Sequence, residues 1–151
     1  MMKYNTIFPE SANNDYKGYS IARYVFLFII FFTLVRSFIH LFAPDGGAGI
    51  IAGMDTSGEK GQNLIFIFSM WGLSHLLIGF FFIIVYLRYK NLICFCYLIL
   101  IIEYVGRISI GVIKPVIVSH TPPGAIGNYI LVPLSIIMFI LSIMKPKSTS
   151  K

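Results

Sequence analysis

The sequence predicts an all-α integral membrane protein, a four-helix antiparallel bundle with its N and C termini in the cytoplasm. Three observations lead there. Hydrophobic residues make up 57% of the 151-residue chain and charged residues 12%, with a mean hydropathy of +0.82, whereas soluble domains carry about 25% charged residues. Four apolar runs come close to the roughly twenty residues that a helix needs to cross the hydrocarbon. The basic residues concentrate in alternate connections, which is the pattern that orients a multi-pass chain.

Residues 1–20 form a polar N-terminal tail. The first apolar run, 21–43, is too long for the core of a signal peptide, and the LFAPDGG that ends it has no small-x-small cleavage site, so it is read as a retained span. The second span is 64–87 and the third 92–113. Only RYKN, Arg88 to Asn91, separates these two, which predicts a tight hairpin. The fourth, 127–144, is shorter and contains Pro133, a site for a kink. Together 21–144 make a single membrane domain, followed by a basic tail, 145–151 (KPKSTSK), whose composition is that of a disordered segment.

The basic connections are the N-terminal tail with Lys3, Lys17 and Arg23, the RYKN turn, and the C-terminal tail with Lys145, Lys147 and Lys151. The other two, Asp45 to Asn63 and Lys114 to Ile126, carry Asp45, Asp55 and Glu59 against Lys60 and Lys114. The positive-inside rule therefore places the termini and the hairpin in the cytoplasm and the two Gly- and Pro-rich loops outside, where they can fold over the mouth of the bundle. Richness in Ile, Phe, Lys and Asn suggests an AT-rich bacterial genome, hence a bacterial inner membrane.

Several function classes fall away. The net charge of +6 is accounted for by membrane orientation, so nucleic acid is not an expected partner. Cys94 and Cys96 are one residue apart in an apolar run and on different faces of a helix, which suits packing rather than a disulfide or a zinc site. The glycines of GAGIIA follow a membrane span, not a strand, so they do not mark a dinucleotide site.

The informative residues are polar ones inside the spans. At ~1.5 Å per residue from the outer end of each span, Arg36 lies roughly 10 Å deep, His40 roughly 5 Å, Trp71 roughly 10 Å, His75 roughly 16 Å, Glu103 roughly 15 Å and Arg107 roughly 9 Å. Thr33, Arg36, Ser37 and His40 share one face of span one, Trp71 and His75 share a face of span two with Gly72 and Gly79, and Glu103 and Arg107 share a face of span three with Lys114. Ionised groups at such depths must be paired, hydrated or turned from lipid. Glu103 and Arg107 stand four apart in the favourable order for an intrahelical pair. Arg36 then has no carboxylate at its depth unless Asp45 folds back to it.

Two guanidiniums against one carboxylate leave a positive surplus, which suits a carboxylate or phosphate headgroup. An outward-facing polar cavity within the membrane is therefore expected, with the six residues Arg36, His40, Trp71, His75, Glu103 and Arg107 as the candidate ligand-binding set; an assembly or interaction subunit is an alternative. Arg36 and Arg107 hold the acid, Glu103 orients Arg107, and Trp71 lines the wall. The competing reading is a polar network that only ties the helices together. His75 and Glu103 match in depth and suit proton relay if the protein is an enzyme. Haem and a two-histidine, one-carboxylate metal centre are disfavoured by the ~10 Å offset between His40 and His75. His120, beside TPPG, is expected to be simply solvated.

At RSFIHLFAPDGGAG, SMWGLSHLLIGF and LIIEYVGR the chain resembles small bacterial four-helix membrane proteins of the DoxX-like kind. Those proteins often carry an Arg and a His in the first span, as Arg36 and His40 do here at closer spacing. The resemblance implies association with quinone-linked or thiol redox systems. Beside the lipid bilayer, the expected partners are a small amphiphilic or anionic ligand and either a second copy or another membrane protein. No cofactor is predicted, although a quinone is compatible with the enzyme reading.

Overall fold

A computed structural model describes residues 7–144. The described chain is helical: α1 (Ser20–Phe42), α2 (Gly58–Arg88), a single 3-10 turn (Lys90–Leu92), α3 (Ile93–Ile113) and α4 (Pro123–Ile143). Each of the four long helices is long and apolar enough to cross a membrane. Their outer surfaces agree with that reading. Phe28, Phe31, Phe32, Phe66, Leu77, Ile102 and Ile130 are all exposed, and an apolar surface of this extent is stable only against lipid or another protein. The basic tail 145–151, together with Lys3, lies outside the described residues.

Helix bounds depart from the apolar runs at two N-termini. α2 begins at Gly58 rather than 64, because GEKGQN continues the helix beyond the apolar stretch with Glu59 in its first turn, where the helix dipole favours an acid. α4 begins at Pro123 rather than 127, since proline at the first helical position has φ already set and its missing N–H is not needed there. Hydropathy marks the part that crosses hydrocarbon; it does not mark where a helix starts.

The helices pair as α1 with α2 and α3 with α4, and α2 touches α3 only sparingly. The short turn between spans two and three joins two helices that pack mainly on other partners. The glycine face of α2 is already occupied by α1: a Cβ on Gly72 would come within 2.6 Å of His40 Cβ, and one on Gly79 within 2.7 Å of Leu34 Cδ2. Small residues let the two backbones approach closely.

One half of the molecule is an apolar core of Ala22, Phe26, Phe82, Val85, Ile93, Cys96, Tyr97 and Leu100. Phe26 packs on Phe82 and Tyr97 at centroid distances of 5.3 and 5.6 Å, and the Tyr97 hydroxyl donates to the Ala22 carbonyl at 2.6 Å, satisfying its one polar atom inside the core. Below this core residues 11–14 bind the α2–α3 turn, with Asn91 accepting from the Asn13 amide at 2.9 Å and donating to the Ser11 carbonyl at 2.9 Å. Tyr19 N–H donates to Leu141 O at 3.0 Å, joining the start of α1 to the end of α4. The polar residues occupy the other half, under the two long loops.

Close α1–α2 contact makes Gly72 intolerant of bulk. Gly72→Ala is expected to lose about 1–3 kcal/mol in unfolding, whereas Gly106→Ala, where an added Cβ meets nothing within 4 Å, should be neutral or gain up to ~1 kcal/mol. Equal effects in a denaturant titration of the two variants would contradict this packing.

Candidate functional site

Three helix faces bring four of the candidate residues, Arg36, His40, His75 and Arg107, onto the ring of a fifth, Trp71, and Glu103 joins through His75 and Arg107. The guanidinium carbon of Arg36 lies 5.2 Å from its ring centroid and that of Arg107 5.0 Å. The His40 ring lies 4.8 Å away, tilted by 34°, and the His75 ring 5.0 Å away, edge-on. Two cations over one indole draw on its electron-rich faces, at about 0.5–2 kcal/mol each. The only tryptophan in the chain is therefore the hub of the cluster, more than the lining of a wall.

On α3, Glu103 and Arg107 form the intrahelical ion pair. Across the helix gap, His75 Nε2 lies 2.9 Å from Glu103 Oε1, and Arg107 also reaches His75 Nε2. His75 Nδ1 lies 3.0 Å from the Trp71 carbonyl, one turn back on its own helix. A carbonyl can only accept, so this nitrogen carries the hydrogen. The side chains of His75, Arg107 and Glu103 are 8%, 17% and 23% exposed, so the triad is turned away from lipid.

His40 is fixed in a similar way. Its Nδ1 donates to the Gly46 carbonyl at 2.7 Å, leaving Nε2 buried without a hydrogen-bond partner. The ring thus ties the end of α1 to the outer loop. That loop turns back on itself through Gly46 and Gly47, at φ 59° and 72°, backbone that residues with a Cβ rarely adopt. The Asp45 carboxylate accepts from the amides of Gly47 (2.8 Å), Gly49 (3.1 Å) and Ile50 (2.7 Å). Asp45 is thereby committed to its own loop, and it does not supply the carboxylate that Arg36 lacks.

The two long loops hold each other. Ser119 N–H donates to Gly53 O at 2.7 Å, and His120 Nε2 approaches the Ile51 carbonyl at 3.3 Å. His120 is exposed but bridges the loops, so solvation alone does not describe it. Ser37, buried on the polar face of α1, is satisfied within the helix by the Thr33 carbonyl at 2.7 Å. Lys114 ends α3 in the exposed connection and does not join the cluster.

Arg36 differs from Arg107. Among the described residues no ion pair or hydrogen bond engages it, and its contact is with the Trp71 ring. It borders a cavity of about 330 Å³ between α1, α3 and α4, lined by Phe28, Phe32, Thr33, Tyr104, Ile130 and Leu131 among others. The walls are apolar except at Arg36, Thr33 and Tyr104, so the space beside the cluster is less polar than the sequence reading expected. Tyr104 and the α4 residues were not among the sequence candidates. Their only signal is adjacency to Glu103 and a small residue, Gly127, in the fourth span, which is too common to single out. Among the described residues no three metal-binding side chains gather at one point.

The outer loop yields a pH prediction. Backbone donors, Ile50 foremost, hold the Asp45 carboxyl below its ordinary value of 3.8. A carboxyl lowered in the folded state contributes stability that is complete above that value and is lost as pH falls through the lower folded one. Amide protection at Gly47, Gly49 and Ile50 should therefore be flat above about pH 4 and drop below it, and Asp45→Asn should lower the plateau above about pH 4 and remove the drop. Protection that persists unchanged to about pH 2 would count against this loop geometry.

No protein-family model, curated protein or solved structure matches the chain, so the chemistry of the site rests on its own geometry.

Proposed function

We propose that the chain is an antiparallel four-helix protein of the bacterial inner membrane, with both termini cytoplasmic, that binds a small amphiphile by an anionic headgroup. The observation that carries this reading is Arg36, a guanidinium that forms no ion pair or hydrogen bond among the described residues and stands at the edge of a mostly apolar 330 Å³ cavity. Such a cavity accepts an acyl or isoprenoid-like tail, and an unpaired planar fork of donors accepts a carboxylate, phosphate or sulfonate. Arg107 is engaged by Glu103 and His75, so in this reading Arg36 makes the principal contact and Arg107, over the same indole, supports it. Orientation is supported by the loop contacts: residues 11–19, the basic turn at Lys90 and the end of α4 adjoin one another, and the two long loops adjoin each other.

The His75–Glu103 contact favours one second reading, a membrane enzyme or redox subunit in which that pair moves protons for a lipid-soluble substrate such as a quinone. A quinone co-purifying with the protein, or turnover lost in Glu103→Gln, would favour it over binding alone.

Native mass spectrometry of protein extracted gently from membranes tests the leading reading. Wild type is expected to retain a discrete acidic amphiphile, and Arg36→Ala to reduce its occupancy by about 10- to 100-fold, as the loss of a charge-assisted hydrogen bond requires. Equal retention in the two proteins would sink the proposal.

A further inference from the structure

His75 Nε2 faces two partners that make opposite demands. Glu103 Oε1, 2.9 Å away, needs a hydrogen on that nitrogen. The Arg107 guanidinium donates and needs a lone pair there. Because Nδ1 is already a donor to the Trp71 carbonyl at 3.0 Å, the state of Nε2 alone decides whether the ring is neutral or an imidazolium. The triad therefore has two hydrogen-bonding arrangements that differ by one proton. In the neutral arrangement Arg107 donates to both His75 and Glu103. In the protonated one Nε2–H donates to Glu103, and the Arg107 donor that had faced His75 is released.

We propose that binding of an anionic headgroup at Arg36 is coupled to uptake of one proton by His75. The inference rests on the anion-binding reading above. The guanidiniums of Arg36 and Arg107 both lie over the Trp71 ring, at 5.2 and 5.0 Å from its centroid, so an anion on the first attracts the second. Once Arg107 turns toward the anion, Nε2 loses its donor and takes a proton from solvent, and the new N–H pairs with Glu103. Charge balances along the same path. Arg36, Arg107 and Glu103 sum to one positive charge, the anion cancels it, and the proton restores it.

The other groups around His75 do not offer the same exchange. From α1, Arg36 is a fixed charge and His40 is held by Gly46 with a buried Nε2. From α3, Glu103 and Arg107 are the partners themselves, and Tyr104 is buried beside them. From α4, the one titratable side chain among the described residues, Tyr129, is exposed.

Decyl sulfonate is a suitable probe, because its headgroup does not titrate and any proton taken up belongs to the protein. Binding to the full chain in neutral-lipid nanodiscs is measured by calorimetry in buffers of differing ionisation enthalpy. Wild type is expected to take up about one proton per sulfonate at a pH where His75 is neutral, and its affinity to fall by up to about tenfold per pH unit on the alkaline side. His75→Gln is expected to bind with no proton uptake. Binding without uptake in wild type, or affinity independent of pH between about 6 and 9, overturns the coupling and leaves the binding reading standing. No binding at all overturns both. Uptake that persists in His75→Gln and vanishes in His40→Gln overturns the assignment to His75. The wild-type pH series decides the coupling even if a variant fails to fold.

Discussion

An ionised side chain in hydrocarbon persists only if another group in the protein takes up its field, and the arrangement around Trp71 follows from that constraint. Glu103 and Arg107 pair on one turn of α3, but a pair alone leaves unsatisfied donors on the guanidinium. His75 from α2 accepts part of that demand, and the indole face takes up part of the rest. Removing either partner leaves an uncompensated charge, which is why a buried pair is costly to break even where forming it contributes little net stability. Arg36 is the exception. It shares the indole but has no acid, so the cluster carries one positive charge more than it neutralises.

The division of the molecule into two halves serves that cluster. The half containing Phe26, Phe82 and Tyr97 is packed and apolar, and it sets the helix spacing from below. Gly72 draws α1 and α2 together at the level of His40, which brings Arg36, His40, Trp71 and His75 within reach of one another. The α1–α3–α4 side is looser and holds the cavity. The loops close the far end through the Asp45 turn and the Gly53–Ser119 bond. Tight packing on one side and open space on the other let the same set of side chains be partly fixed and partly available.

Much of this was legible in the sequence because hydrocarbon imposes strong rules. Four spans, their approximate bounds and the grouping of Arg36, His40, Trp71, His75, Glu103 and Arg107 in one half of the spans follow from run length and from the 3.6-residue period. What was not legible depends on which helices pack together. The RYKN turn joins α2 to α3, but nothing along the chain says that the glycine face of α2 engages α1. Asp45 looked available to Arg36, but nearby amides of its own loop capture it first. The hub role of Trp71 and the cavity at Tyr104 arise from three helices at once, and no spacing along one helix encodes them.

The central claim is that the two arginines have different duties: Arg107 is committed to the fold and Arg36 is held ready for a ligand. The most direct measurement is the unfolding free energy of ligand-free Arg107→Ala and Arg36→Ala in the same lipid or detergent. Arg107→Ala is predicted to lose about 3–5 kcal/mol, because Glu103 is left with His75 alone. Arg36→Ala is predicted to lose no more than the ~1–2 kcal/mol of its contact with Trp71. Equal losses, or a larger loss for Arg36→Ala, would mean that both arginines serve the fold and that the surplus charge is not reserved for a ligand.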